Sequence, residues 1–128
     1  MTTLAALAET LRPESIELGP SPSPARVVEG DPRCGERVLV DVPGLEIGVW
    51  EVTPGRFLSA KNDVGEVMHF VSGAGELTHP DGSATTIAPG VTVSLHAGWS
   101  GEWHVTETVR KVYAIYRAAI IAHGDADA

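Results

Sequence analysis

The stretch from Glu66 to Trp103 leaves a folding chain few options. Its apolar residues come in blocks of four to six, beginning with Glu66-Val-Met-His-Phe-Val-Ser-Gly73 and broken again at Pro80-Asp-Gly82, Ala88-Pro-Gly90 and Ala97-Gly98. Gly, Pro and Asp at that spacing stop a helix, whereas antiparallel strands joined by tight turns require them. The middle of the chain is therefore β.

The same spelling extends to both sides. Strands are expected at Glu36–Val42, Leu45–Val52, Phe57–Lys61, Glu66–Ser72, Gly75–His79, Ala84–Ile87, Val91–Leu95, Gly101–Thr106 and Val109–Tyr116, with a turn every eight to twelve residues. Many short strands at even spacing specify a sandwich or barrel. Ahead of them, Leu4, Leu7, Ala8 and Leu11 fall at helical spacing until Pro13 ends the pattern, so a short helix is expected over Thr3–Leu11. Gly19–Pro32, with its Pro-Ser-Pro-Ser-Pro run, reads as an extended wrapping arm in which Val27-Val28 could add an edge strand. The expected organisation is residues 1–34 for helix and arm, 35–120 for one β-barrel domain, and 121–128 for a frayed acidic tail.

Bulk properties exclude several functions. A formal net charge of −8 opposes binding to nucleic acid or to an anionic membrane surface. The single Cys34 has no partner for an internal disulfide, and no charged-then-apolar leader opens the sequence, so a cytoplasmic setting is expected. Apolar residues near both ends, the leucines and Ile120-Ile121, favour a homodimer that covers them. No phosphate-binding loop, dinucleotide fingerprint, Gly-x-Ser-x-Gly elbow or Cys-x-x-Cys pair is present.

Glu66 followed by six residues and Gly73 resembles the second half of the first cupin motif, and Gly90 followed by five residues and His96-Ala-Gly98 resembles the second. Gly48-Val-Trp50-Glu51-Val-Thr-Pro54-Gly55, Gly101-Glu-Trp103 and Val109-Arg-Lys111-Val-Tyr113 are similar to the subgroup that holds ureidoglycine aminohydrolase-like domains. The resemblance covers roughly residues 28–117 and implies an all-β, single-domain cupin, a double-stranded β-helix or jelly roll.

It also implies where a metal would sit. Metal-binding cupins use two His and a Glu from the first motif and one His from the second; here the Glu is Glu66. The first two His positions fall on Ala60 and Asn62, or on Ser59 and Lys61 with a spacer longer by one, and the last falls on Gly101. Neither register supplies an imidazole, so no metal and no cofactor are expected. Strand parity places His69 opposite Glu66 and His104 opposite Trp103, turning both outward. His79 precedes a hairpin tip and is expected in solvent, while His96 at a strand end could still aim inward.

Glu66 is then the candidate acid or base. The resemblance implies that it faces an interior shared with Met68 and Phe70, where its carboxyl must be paired or raised in pKa, with Lys61, Arg56 or a ligand amine as partner. Trp50, Trp99 and Trp103 are candidates for a stacking pocket, with Trp99 on a glycine-flanked loop at its rim. The ligand-binding set read from the sequence is Trp50, Lys61, Met68, Phe70, His96, Trp99, Trp103 and Tyr113. Arg110 and Lys111 are expected to form cross-strand ion pairs with Glu51 or Glu107. The expected role is binding of a small organic molecule, with isomerisation, cyclisation or elimination at Glu66. Alternatives are a non-catalytic binding or sensing dimer, and a metal-dependent enzyme of the ureidoglycine type.

Overall fold

In the computed structural model the described residues are 7–117, and they form nine strands: β1 (Gly19–Ser21), β2 (Arg26–Gly30), β3 (Cys34–Val42), β4 (Leu45–Val52), β5 (Gly55–Ala60), β6 (Val64–Thr78), β7 (Ala84–Ile87), β8 (Thr92–Leu95) and β9 (Ser100–Arg117). All pairings are antiparallel. No helix occurs among the described residues. Residues 8–12 have no regular structure where a helix was expected, and the rest of that expected segment lies outside the described residues. A stripe of three leucines is too short to hold a helix without a surface to pack on, and Leu7 is 88 % exposed.

Strands β6 and β9 are each continuous where two strands were expected, the break falling at Gly73-Ala74 in β6 and at Glu107-Thr108 in β9. They pair with one another along nearly their whole length, from Val64↔Arg117 to Thr78↔Glu102. Register shifts between Phe70 and Gly75 absorb the bend, so the ladder curves without ending. Gly73 makes that bend possible: its φ is +102°, and a Cβ there would lie 2.3 Å from the Thr108 carbonyl oxygen.

The long β6–β9 ribbon divides the sheet into two halves. In one, β1, β3 and β4 line up beside the later part of β9, with β8 on the far edge of β6. In the other, β2 and β5 pair beside the earlier part of β9, with β7 on the edge of β6. One core cluster draws on both, including Val52, Phe57, Met68, Phe70, Leu77, Ile87, Leu95 and Trp103, so the sheet curls over a shared interior. Strand alternation supplies this core, since Glu66, Met68 and Phe70 point in while Val67 and His69 are exposed.

The arm is tied to both halves, β1 to β3 and β2 to β5. Val27 and Val28 do form the anticipated edge strand, and both remain exposed. Arg110 anchors the preceding segment by donating to the carbonyl oxygens of Pro13 and Ile16 at 2.9 and 2.7 Å, while its Nε holds Glu51 at 2.8 Å.

Candidate functional site

Side chains from β3, β4, β5, β6 and β9 converge on a cavity of about 180 Å³. Register explains the convergence: Trp50 stands opposite Lys111, Gly48 opposite Tyr113, Phe57 opposite Trp103 and Met68 opposite Tyr113. Directly opposed residues share one face of a sheet. Trp103 stacks on Phe57 (centroids 5.6 Å apart, 14° between planes) and meets Trp50 and Phe70 edge-on, giving the cavity an aromatic wall.

Against that wall lies an ionic group. Glu66, 1 % exposed, receives Lys61 Nζ on Oε1 and Lys111 Nζ on Oε2, each at 2.7 Å. Lys111 is itself buried, with Nζ 3.2 Å from Met68 Sδ and above the rings of Trp50 and Trp103, 4.4 and 4.9 Å from their centroids. Burial alone would push the Glu66 carboxyl up, but Lys111 and Lys61 together outweigh it and hold the group below its ordinary value. Of the two outcomes open to a carboxyl in this interior, pairing or a raised value, it is pairing that holds, with Lys61 as one partner. Burial also pushes the Lys111 ammonium down, more than Glu66 pulls it back, and Lys61 adds to the depression. Two cations thus share a single carboxylate, which leaves an excess positive charge inside the protein.

The far side of the cavity is acidic. Tyr113 OH lies 2.5 Å from Glu36 Oε2 and 2.7 Å from Glu46 Oε2, although a phenol has one proton to donate. Burial first, and then these two carboxyl groups, push the phenol far above its ordinary value. Gly48 makes room for it, since a Cβ there would come within 2.8 Å of the phenol oxygen and 2.5 Å of the Arg37 carbonyl.

A model of the EutQ-like cupin domain matches residues 44–113, more than half of the chain. The chain belongs to that cupin family. A Pseudomonas syringae pv. tomato protein of unknown function, of the DUF861 family, is similar to this cupin: 33 % identity over 82 % of this chain, TM-score 0.71. The match takes in 46 % of that protein, so this cupin spans less than half of its length. The polyketide cyclase RemF of Streptomyces resistomycificus shares the fold at 15 % identity, covering 86 % of this chain and 80 % of its own, with a TM-score of 0.64. Ectoine synthase from P. lautus does so at 16 % identity, 91 % and 77 % coverage, and a TM-score of 0.61. No curated protein matches the sequence significantly.

In this cupin the positions at which the family resemblance would set metal ligands hold other groups. On β5, Phe57 and Ser59 line the cavity, as does Lys61 just beyond its end, while Ala60 and Asn62 are exposed; the longer spacer is the one whose residues face inward. A hydroxyl and an ammonium thus stand where imidazoles would be. Gly101 cannot accept any side chain, because a Cβ would lie 2.3 Å from the Thr78 carbonyl oxygen and 2.5 Å from the Trp99 ring. Both oxygens of Glu66 already carry ammonium groups. The residues present do not fit a transition metal at this place.

Of the site residues read from the sequence, Trp50, Lys61, Glu66, Trp103 and Tyr113 line the cavity. Met68 and Phe70 are fully buried behind it as core. His96 is exposed in the turn after β8 and does not line the cavity. Trp99 also lies away from the cavity lining: its indole N–H donates to His79 Nδ1 at 3.0 Å, and His79 Nε2 lies 2.7 Å from Thr85 Oγ1. His79 is therefore half-buried and bonded, not free in solvent. His69 and His104 face away from Glu66, the former against Thr92 Oγ1 at 2.7 Å. Arg56, considered as a partner for Glu66, pairs outside with Glu29 and Glu102.

Lys111 is the residue that the sequence reading placed elsewhere, in a cross-strand pair with Glu51 or Glu107. Arg110 takes Glu51 instead, and Lys111 takes Glu66. Two signals pointed to it. Parity put Lys111 on the face of Tyr113, and Lys61 and Lys111 are the only lysines in a chain whose other basic residues are all arginine or histidine.

Proposed function

We propose that this cupin binds a small polar organic molecule and transfers protons within it without a metal, through Glu66 and its two lysines. The observation that carries this reading is the Lys61–Glu66–Lys111 group bordering a cavity, in the place where the cupin resemblance would set a metal. A cavity of about 180 Å³ is smaller than the ~300–1,000 Å³ of sites for drug-sized ligands, so the occupant is small. Aromatic walls between a cationic and an acidic end suit a molecule with a planar or apolar middle and polar ends. Because Glu66 is held as carboxylate, it works as a base and as a relay between the lysines; an isomerisation, cyclisation or elimination needs such proton movement. The similarity to a polyketide cyclase and to ectoine synthase is one of fold and supports only the small-molecule class.

The test is a fragment screen by protein-observed NMR, with metal analysis of the purified protein and a Glu66→Gln variant. Fragments should perturb Trp50, Trp103 and Tyr113, the protein should carry no stoichiometric transition metal, and a turnover found for any hit should be lost in Glu66→Gln. Stoichiometric metal bound by Glu66 would overturn the reading in favour of a ureidoglycine aminohydrolase-like enzyme. Turnover undiminished in Glu66→Gln would remove the catalytic role of Glu66, and fragment binding with no turnover of any hit would leave a non-catalytic binding module.

A homodimer is proposed alongside, supported by exposed Leu7, Val27 and Val28.

A further inference from the structure

Every amine on a side chain of this protein lies in one place. Lys61 and Lys111 are its only lysines, both grip Glu66 at 2.7 Å, and both border the cavity. Elsewhere the chain meets its need for cations with seven arginines, for example Arg56 with Glu29 and Glu102 or Arg110 with Glu51. Arginine forms the better fork to a carboxylate, so a buried ion pair alone gives no reason to prefer lysine. Lysine differs in one chemical respect: it can lose its proton and become a nucleophile.

The surroundings of Lys111 are those that activate an amine. Its Nζ is desolvated among Trp50, Trp103 and Met68, and a second cation, Lys61, sits on the same carboxylate. Desolvation and a neighbouring cation are the two environments that turn a lysine into a covalent catalyst. Lys61, at the end of β5 with its side chain 18 % exposed, is more open to water than Lys111 at 6 %.

We propose that Lys111 is a nucleophile that forms a reversible imine with a small aldehyde or ketone, Lys61 holding the charged or polar end of the same molecule. This activity goes beyond the proton transfer proposed above and uses the same cavity. The ammonium gives one proton to Glu66 Oε2, and the freed lone pair attacks the carbonyl carbon. As the C–N bond forms, the carbonyl π pair moves to oxygen, which takes the proton back from Glu66. The nitrogen then loses a second proton to Glu66, which passes it to the departing hydroxyl. The C–O bond breaks, water leaves, and a protonated imine remains, so one ammonium and one carbonyl become one iminium and one water.

The experiment traps that imine. The full-length protein is incubated at neutral pH with glyoxylate or pyruvate and cyanoborohydride, then analysed by intact mass and peptide mapping. Only three amines can react: Lys61, Lys111 and the α-amine. The expected result is a single adduct on Lys111, formed at least tenfold faster than on the α-amine, lost in Lys111→Arg, and formed more slowly but still on Lys111 in Lys61→Arg and in Glu66→Gln. Lys111→Met is the second variant if Lys111→Arg fails to fold, and urea unfolding establishes that each variant is native. Adducts confined to Lys61 or the α-amine, or no adduct while NMR fragments still bind in the cavity, would overturn the imine and leave the proposed function standing. No adduct together with no fragment binding would overturn both.

Discussion

Glu66 shows how much one side chain's meaning depends on its partners. A carboxyl alone in an apolar interior shifts toward its neutral form, but one gripped on each oxygen by an ammonium stays charged. Removing the sole carboxylate of a buried ionic group leaves uncompensated charge and costs about 3–5 kcal/mol, whereas removing one of two cations leaves a balanced pair behind. Glu66→Gln should therefore lower unfolding free energy by about 3 kcal/mol in urea titrations, and Lys111→Met by less than half as much, since Lys61 still satisfies the carboxylate. The pH dependence follows in sign. The folded-state value of Glu66 lies below the ordinary 4.5, so its stabilisation is complete above that pH and drains away as the folded group titrates on acidification. Urea midpoints measured downward from pH 7 should show this acid loss in the native protein, and Glu66→Gln should lack that component. Cys34 gives a separate readout. Burial pushes its thiol from 9.0 up to about 11, so its alkylation at pH 8 should run roughly a hundredfold slower than that of an unperturbed cysteine thiol.

At the scale of elements, the β6–β9 ribbon decides the shape, and glycine decides the ribbon. Gly73 permits the bend by its backbone angle and by the missing Cβ that would strike Thr108. Gly73→Ala should cost at least about 2 kcal/mol by strain and overpacking together, readable as a fall in thermal midpoint. Gly101 plays a different part, letting β9 pass beneath Thr78 and the Trp99 ring. Installing the histidine of a metal-binding cupin there, as Gly101→His, should yield a protein that is unstable or insoluble and that gains no metal, as measured by metal content of whatever soluble fraction is recovered. Strand boundaries such as Leu45–Val52 and Ala84–Ile87 were legible because Pro-Gly and Asp-Gly turns punctuate them. The unbroken lengths of β6 and β9 were not legible. A glycine that breaks a lone strand can also bend a strand whose partner bends with it, and only pairing distinguishes the two.

Over the described residues, the molecule is a curled sheet with its arm stitched to both halves and a cavity lined by side chains of five strands. No helix among the described residues is long and apolar enough to cross a membrane. If the exposed Leu7, Val27 and Val28 serve a second copy, light scattering behind a sizing column should give twice the chain mass, and charged substitutions at Val27 and Val28 should return it to monomer. Local chemistry by itself determined that this chain is β throughout its middle and that Glu66, Met68 and Phe70 share one face, because turn residues and two-residue alternation act over a few positions; that this face is the inner one, and that the cupin histidines are missing, came from the resemblance to the cupin motifs. Only the tertiary structure decided what Glu66 meets. Lys111 lies 45 residues away along the chain, and alternation can say which face a side chain takes but not which strand will lie beside it. That choice is made by the register of distant strands, set by the packing of the whole core.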